Sequence, residues 1–213
     1  AMIVAQKGIV AAGQHNDKPM LAHYYNQIGF IFLKQEKPDA SIRYYRQYLN
    51  LAVQTGSPAD LADAYNSMAD VYLFENNYNA SLRYLFEALA IYKRIDGGGV
   101  VYKSDTLSKG DRVPYTLYKL STVYKLRKQY HQALQYALNG LNYRNDRHKL
   151  FAYNPYDLAS YYINIGEVYV ALKDYKRAIL FLNKGLSLSK AIFHRDDISD
   201  AYYGLSTTYA MEK

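Results

Sequence analysis

The chain has 213 residues, half of them hydrophobic, and its 26 basic and 19 acidic side chains give a formal net charge of +7. That apolar content excludes an intrinsically disordered chain, and the length suffices for a sizeable core. The absence of cysteine excludes disulfides and thiolate-held metals, and no apolar run is long enough to cross a bilayer as a helix.

Taken in chain order, the sequence repeats itself. Segment 1–16 contains QKGIVAAGQ, which aligns with NKGLSLSKA at 183–191 and so reads as the tail of a second helix whose unit began earlier. Residues 19–56 hold two helical patterns joined by a short polar turn. The first carries Tyr25, Ile28, small Gly29 and Phe32, offsets that share one face of a helix. The second carries small Ser41 and bulky Tyr45 and closes on Tyr48-Leu49. Residues 58–95 repeat the scheme with Tyr65, Met68, Ala69 and Tyr72, then Ser81, Leu85 and Ala88-Leu89. An insertion at 96–112 follows, opened by three glycines that end a helix; it reads as a tolerated surface loop, with a flap over a groove as the alternative. Residues 113–145 carry Leu117, Leu120, Ser121 and Tyr124, then Ala133, Ala137 and Gly140-Leu141. After a smaller insertion, residues 155–193 carry Tyr162, Ile165, Gly166 and Tyr169, then Ala178, Leu182 and Gly185-Leu186. Residues 196–213 supply a first-helix pattern alone, with Tyr202, Leu205, Ser206 and Tyr209.

Small residues let two antiparallel helices approach closely, while large rings fill the space beside the crossing. The 26 tyrosines, against 7 phenylalanines and no tryptophan, suit a thin structure in which a ring packs and its hydroxyl stays wet. These columns resemble the tetratricopeptide repeat, a helix–turn–helix unit. The resemblance implies an all-α fold, an α-solenoid in the form of a right-handed superhelix of antiparallel helix pairs, with about ten helices. Two departures stand out. The small residues lie about 40 to 52 positions apart, where the standard unit has about 34, and the proline that usually closes each unit is missing. All five prolines instead fall near expected helix starts, where a missing amide costs little. Because a solenoid is capped at its ends, the pattern is expected to belong to a longer array. Ile9, Leu205 and Tyr209 are expected to be exposed, and association of two copies through such faces is expected to follow.

No chemistry-bearing constellation emerges. The five histidines are scattered without metal-ligand spacing, DGGGVV lacks the lysine and hydroxyl of a phosphate-binding loop, and no serine sits in a nucleophile elbow. The expectation is a non-enzyme without cofactors or metal. Basic residues such as Arg43, Arg83, Arg177 and Lys184 fall on second helices, and no nucleic-acid signature accompanies them, so neither nucleic acid nor membrane insertion is expected of this segment.

In proteins of the family that these columns resemble, ligands lie along the concave face lined by first helices. Carried onto this chain, that face comprises Asn26, Phe30, Lys34, Asn66, Asp70, Phe74, Tyr118, Thr122, Lys125, Glu167 and Tyr203, with Ile163 and Thr207 beside them. Asn26 and Asn66 share a register, and an amide that both donates and accepts suits an extended backbone. The implied partner is a protein or an extended peptide. The long, tyrosine-rich repeats resemble the tetratricopeptide sensor regions of Bacteroidetes histidine kinases and transcriptional regulators, which implies a periplasmic sensor segment of a larger signalling protein. The alternatives are a cytoplasmic peptide-responsive regulator of the quorum-sensing kind and a passive assembly scaffold.

Overall fold

The computed structural model describes residues 2–97, 112–147 and 155–212. Among them are ten helices and no strand: α1 (Met2–Gln14), α2 (Lys18–Lys34), α3 (Pro38–Thr55), α4 (Pro58–Phe74), α5 (Tyr78–Gly97), α6 (Arg112–Leu126), α7 (Tyr130–Arg147), α8 (Pro155–Ala171), α9 (Tyr175–Ala191) and α10 (Arg195–Met211). The fold is all-α, as the periodicity predicts. Helix α5 runs through Asp96 and Gly97 and α6 opens at Arg112, so each takes in residues that the sequence assigns to the insertion. The remainder of that insertion lies outside the described residues.

The chain divides into two compact units, Ala1–Val101 and Tyr102–Lys213. In the first, α2 packs on α3 and α4 on α5, with α1 against α2 and α3 against α4. In the second, α6 packs on α7 and α8 on α9, while α10 lies against both α9 and α8. Each unit is thus a stack of consecutive antiparallel helix pairs, the α-solenoid arrangement.

The turns within pairs share one design. Glu36, Asn76, Lys128 and Lys173 adopt left-handed backbone angles, φ 57° to 60°. At each turn the next amide reaches back five residues, as in Lys37 N–H to the Phe32 carbonyl at 3.0 Å and Asp174 N–H to the Tyr169 carbonyl at 2.9 Å. This closes the last helical carbonyls of the first helix. The residue that makes the bond then begins the second helix, and where it is Asp174 or Asn77 its side chain also accepts from the amide three residues on, Arg177 at 3.1 Å or Ala80 at 3.2 Å. At those two turns one residue ends one helix and caps the next. Gly56, with φ 66°, supplies the same left-handed position between α3 and α4, ahead of the Ser57 cap. Pro19, Pro38 and Pro58 occupy the first or second helical position, as the sequence suggests.

The small columns are the sites of closest approach. A Cβ placed on Gly29 would lie 2.5 Å from the ring of Tyr45, and one on Gly166 would lie 2.6 Å from Leu182 Cγ and 3.1 Å from its backbone nitrogen. Tyr45 and Leu182 are both fully buried. The approach also lets Ser41 Oγ donate to the Gly29 carbonyl at 2.8 Å and Ser81 Oγ to the Ala69 carbonyl at 3.0 Å. Rings close the flank. Tyr44 of α3 sits beside Tyr25 and stacks on Phe32 at 5.5 Å; Tyr84 of α5 sits beside Tyr65 and stacks on Tyr72 at 5.4 Å. Phe181 of α9 lies between Tyr162 and Tyr169 in the same way.

The last helix corrects two expectations. Leu205 is buried rather than exposed, because it packs into a cluster with Leu182 and Leu186 of α9. Ser206 is exposed, and the small residue that meets Leu182 from α10 is instead Gly204, whose added Cβ would lie 2.8 Å from Leu182 Cδ2. Tyr209 is exposed as expected, and Ile9 is half-buried.

Leu182 therefore has no room on the α8 side. Gly166→Leu is expected to destabilise the chain by about 1–3 kcal/mol or more through overpacking. A thermal melt that matched the wild type would show that α8 and α9 do not meet at this column.

Candidate functional site

The first helices of each unit carry the residues singled out by sequence. In the first unit, Phe30 and Phe74 present exposed rings, and the Lys34 ammonium lies over Phe30 at 5.5 Å from its centroid. Asp70 is half-buried. The two asparagines share a register but have different surroundings. Asn26 is half-buried, and its Oδ1 accepts from Ser67 Oγ of α4 at 3.0 Å. Asn66 is buried, and its Nδ2 donates to the Tyr92 hydroxyl of α5 at 3.2 Å; that hydroxyl in turn donates to Asp63. Asn26 links α2 to α4, whereas Asn66 links α4 to α5.

In the second unit the structure brings four of the residues together: Lys125, Glu167, Tyr203 and Thr207. Lys125 of α6 and Glu167 of α8 form an ion pair, with side chains 23% and 32% exposed. With Val170, Tyr203, Gly204 and Thr207 they line a cleft of about 250 Å³ that spans α6, α8 and α10. Tyr203 is 75% exposed, a large ring held in solvent at the cleft's edge. Thr122 and Tyr118 are not among the lining residues. The Thr122 hydroxyl donates to the Tyr118 carbonyl at 3.2 Å, and the Tyr118 ring packs against Tyr161 at 5.2 Å. Ile163 is buried with Leu182 and Leu186.

Burial pushes the Tyr118 phenol up to about 12, and the nearby Glu167 carboxylate adds to the shift. Both causes disfavour a phenolate. Asp197, in the first turn of α10, is likewise held above the usual carboxyl range by burial, against the opposing effect of hydrogen bonds from Ser160. Ser160 Oγ lies 3.1 and 2.9 Å from the two carboxylate oxygens of Asp197.

Sequence reasoning missed a set of polar links between successive first helices. Asn164 is buried and donates from Nδ2 to Ser121 Oγ at 2.8 Å, joining α8 to α6 beside the Lys125–Glu167 pair. Ser160–Asp197 joins α8 to α10, and Ser67–Asn26 joins α4 to α2. A signal existed for two of them: Ser67 and Asn164 both stand two residues before the small column, a recurrent polar position on an otherwise apolar stretch. Among the described residues no three His, Asp or Glu side chains gather as metal ligands, and no helix is long and apolar enough to cross a membrane.

Models of the tetratricopeptide repeat match residues 19–94 and 159–192, together just over half of the chain. The chain belongs to the tetratricopeptide repeat family. A comparison with curated proteins gave no match. Among solved structures, it is similar to a Rap protein complexed with competence and sporulation factor, at 18% identity and a TM-score of 0.72, over 91% of this chain and 49% of that one. It is also similar to aspartyl phosphate phosphatase F from Bacillus subtilis, at 14% identity and a TM-score of 0.72, over 87% and 44%. A third is a signal transduction ATPase with numerous domains and a tetratricopeptide repeat sensor, from Pyrococcus horikoshii, at 15% identity and a TM-score of 0.68, over 89% and 27%. The chain spans less than half the length of each of these three, and at such identities the likeness is one of fold.

The Tyr118 shift carries a sign that can be measured. Its folded pKa, about 12, lies above the ordinary 10.0, so the neutral phenol contributes stability that is fully present below pH 10 and lost as pH rises towards 12. Denaturant unfolding at about pH 9 and about pH 11 is expected to show a larger loss of stability in the wild type than in Tyr118→Phe. Equal losses would mean that Tyr118 ionises as freely folded as unfolded.

Proposed function

We propose that this chain is a non-catalytic protein- or peptide-binding repeat module, the periplasmic sensor or regulatory segment of a larger bacterial signalling protein. The observation that carries the binding part is the cleft across α6, α8 and α10. A half-buried ion pair lines it, together with an exposed tyrosine from α10. A large exposed ring beside fixed polar groups is the composition of a recognition surface, since the ring offers contact area at low entropic cost. The sensor reading draws support from the fold shared with the repeat sensor of the Pyrococcus horikoshii protein. The second reading, a cytoplasmic regulator that responds to a peptide, draws its support from the Rap protein complexed with competence and sporulation factor.

Both readings require a ligand on the first-helix face. In a peptide-library screen read by isothermal titration, Tyr203→Ala is expected to weaken selected ligands by about 1–3 kcal/mol. Lys176→Ala, on the exposed face of α9, is expected to leave them unchanged. Weakening by Lys176→Ala but not by Tyr203→Ala would move the binding surface to the second helices and defeat the proposal.

A further inference from the structure

The ion pair that walls the cleft does not use up the bonding capacity of its members. Lys125 carries three N–H donors and places Nζ against Glu167 Oε2. Glu167 has a second oxygen, and both side chains keep part of their surface in solvent while lining the cleft. The wall therefore offers a donor and an acceptor side by side, with no net charge. A ligand that complements it presents an acceptor and a donor on one edge. A trans peptide unit does not, because its carbonyl and N–H point in opposite directions. A primary carboxamide does, because its oxygen and NH2 share an edge. An ionised side chain is disfavoured: a carboxylate meets Glu167 and an ammonium meets Lys125, and taking either partner means breaking the pair.

The rest of the cleft fits the same group. Val170 and the ring of Tyr203 supply apolar surface for the methylenes that carry the amide, and Thr207 adds a hydroxyl. A volume of about 250 Å³ accommodates one side chain of that size. We infer that this cleft is a specificity pocket for the primary carboxamide of a glutamine or asparagine in a bound extended segment. The inference rests on the binding function proposed above and names what that site selects.

The test uses hexapeptides of one sequence with a single variable position X, capped as N-methylamides so that X carries the only primary carboxamide. Binding is followed through the backbone amide NMR signals of Val170, Gly204 and Thr207. Peptides with X as Gln or Asn are expected to shift those signals and to bind about tenfold more tightly than those with Glu, Lys or Leu. In Lys125→Met the uncompensated Glu167 is expected to turn the preference towards X as Lys; in Glu167→Gln the uncompensated Lys125 is expected to turn it towards X as Glu. Thermal melts establish that both variants fold. Equal affinity for all X, with the three signals still shifting, would overturn the carboxamide inference and leave segment binding in place. Failure of any peptide to move those signals would overturn both.

Discussion

A large side chain on a second helix lodged against a glycine on the first is the contact from which the rest of the structure follows. Tyr45 against Gly29 and Leu182 against Gly166 leave no room for even one methyl group. Leu182 also meets Gly204 of the next first helix, so a single side chain sets both the spacing within one pair and the seat of its neighbour. The serine hydroxyls of Ser41 and Ser81 bond across the same approach, which ties the backbone of one helix to the side chain of the other. With second helices pressed into this role, first helices are brought side by side, and part of their remaining face is left to solvent.

The two kinds of contact differ in extent. Within a pair the joint is apolar and close-packed, and truncating a residue such as Leu182 costs about 2–5 kcal/mol. Between successive first helices, ring and aliphatic contacts such as Tyr118–Tyr161 are joined by polar links: Asn26–Ser67, Ser121–Asn164, Lys125–Glu167 and Ser160–Asp197. Such bonds contribute about 0.5–1.5 kcal/mol each. Helices of one pair pack on each other more extensively than neighbouring first helices do. That ordering suits the proposed binding surface, whose walls belong to different pairs.

Much of the fold was legible because its determinants are local and repeated. Gly29, Ala69, Ser121 and Gly166 recur at one register of a helical pattern, and only close packing between helices explains a small residue kept among large ones. The register failed at α10, where Ser206 aligned with the column but Gly204 makes the contact, because there the partner is the preceding helix rather than a following one. The site was harder to read. Register placed Asn26 and Asn66 together, yet the Tyr92 hydroxyl, 26 positions away, draws Asn66 into the space between α4 and α5. Lys125 and Glu167, 42 positions apart, were placed on one face by register and turn out to be each other's partner. Pairings across repeats depend on how far one helix slides along the next, and no pattern within a single repeat records that.

The central claim is that packing fixes the second helices as scaffold and leaves the first helices as the recognition face. Amide hydrogen exchange of the second unit, with and without a saturating library-selected peptide, tests it most directly. The account predicts added protection confined to α6, α8 and α10, around Lys125, Glu167 and Tyr203, with α7 and α9 unchanged. Protection on the exposed faces of α7 and α9, with α6, α8 and α10 unchanged, would contradict it.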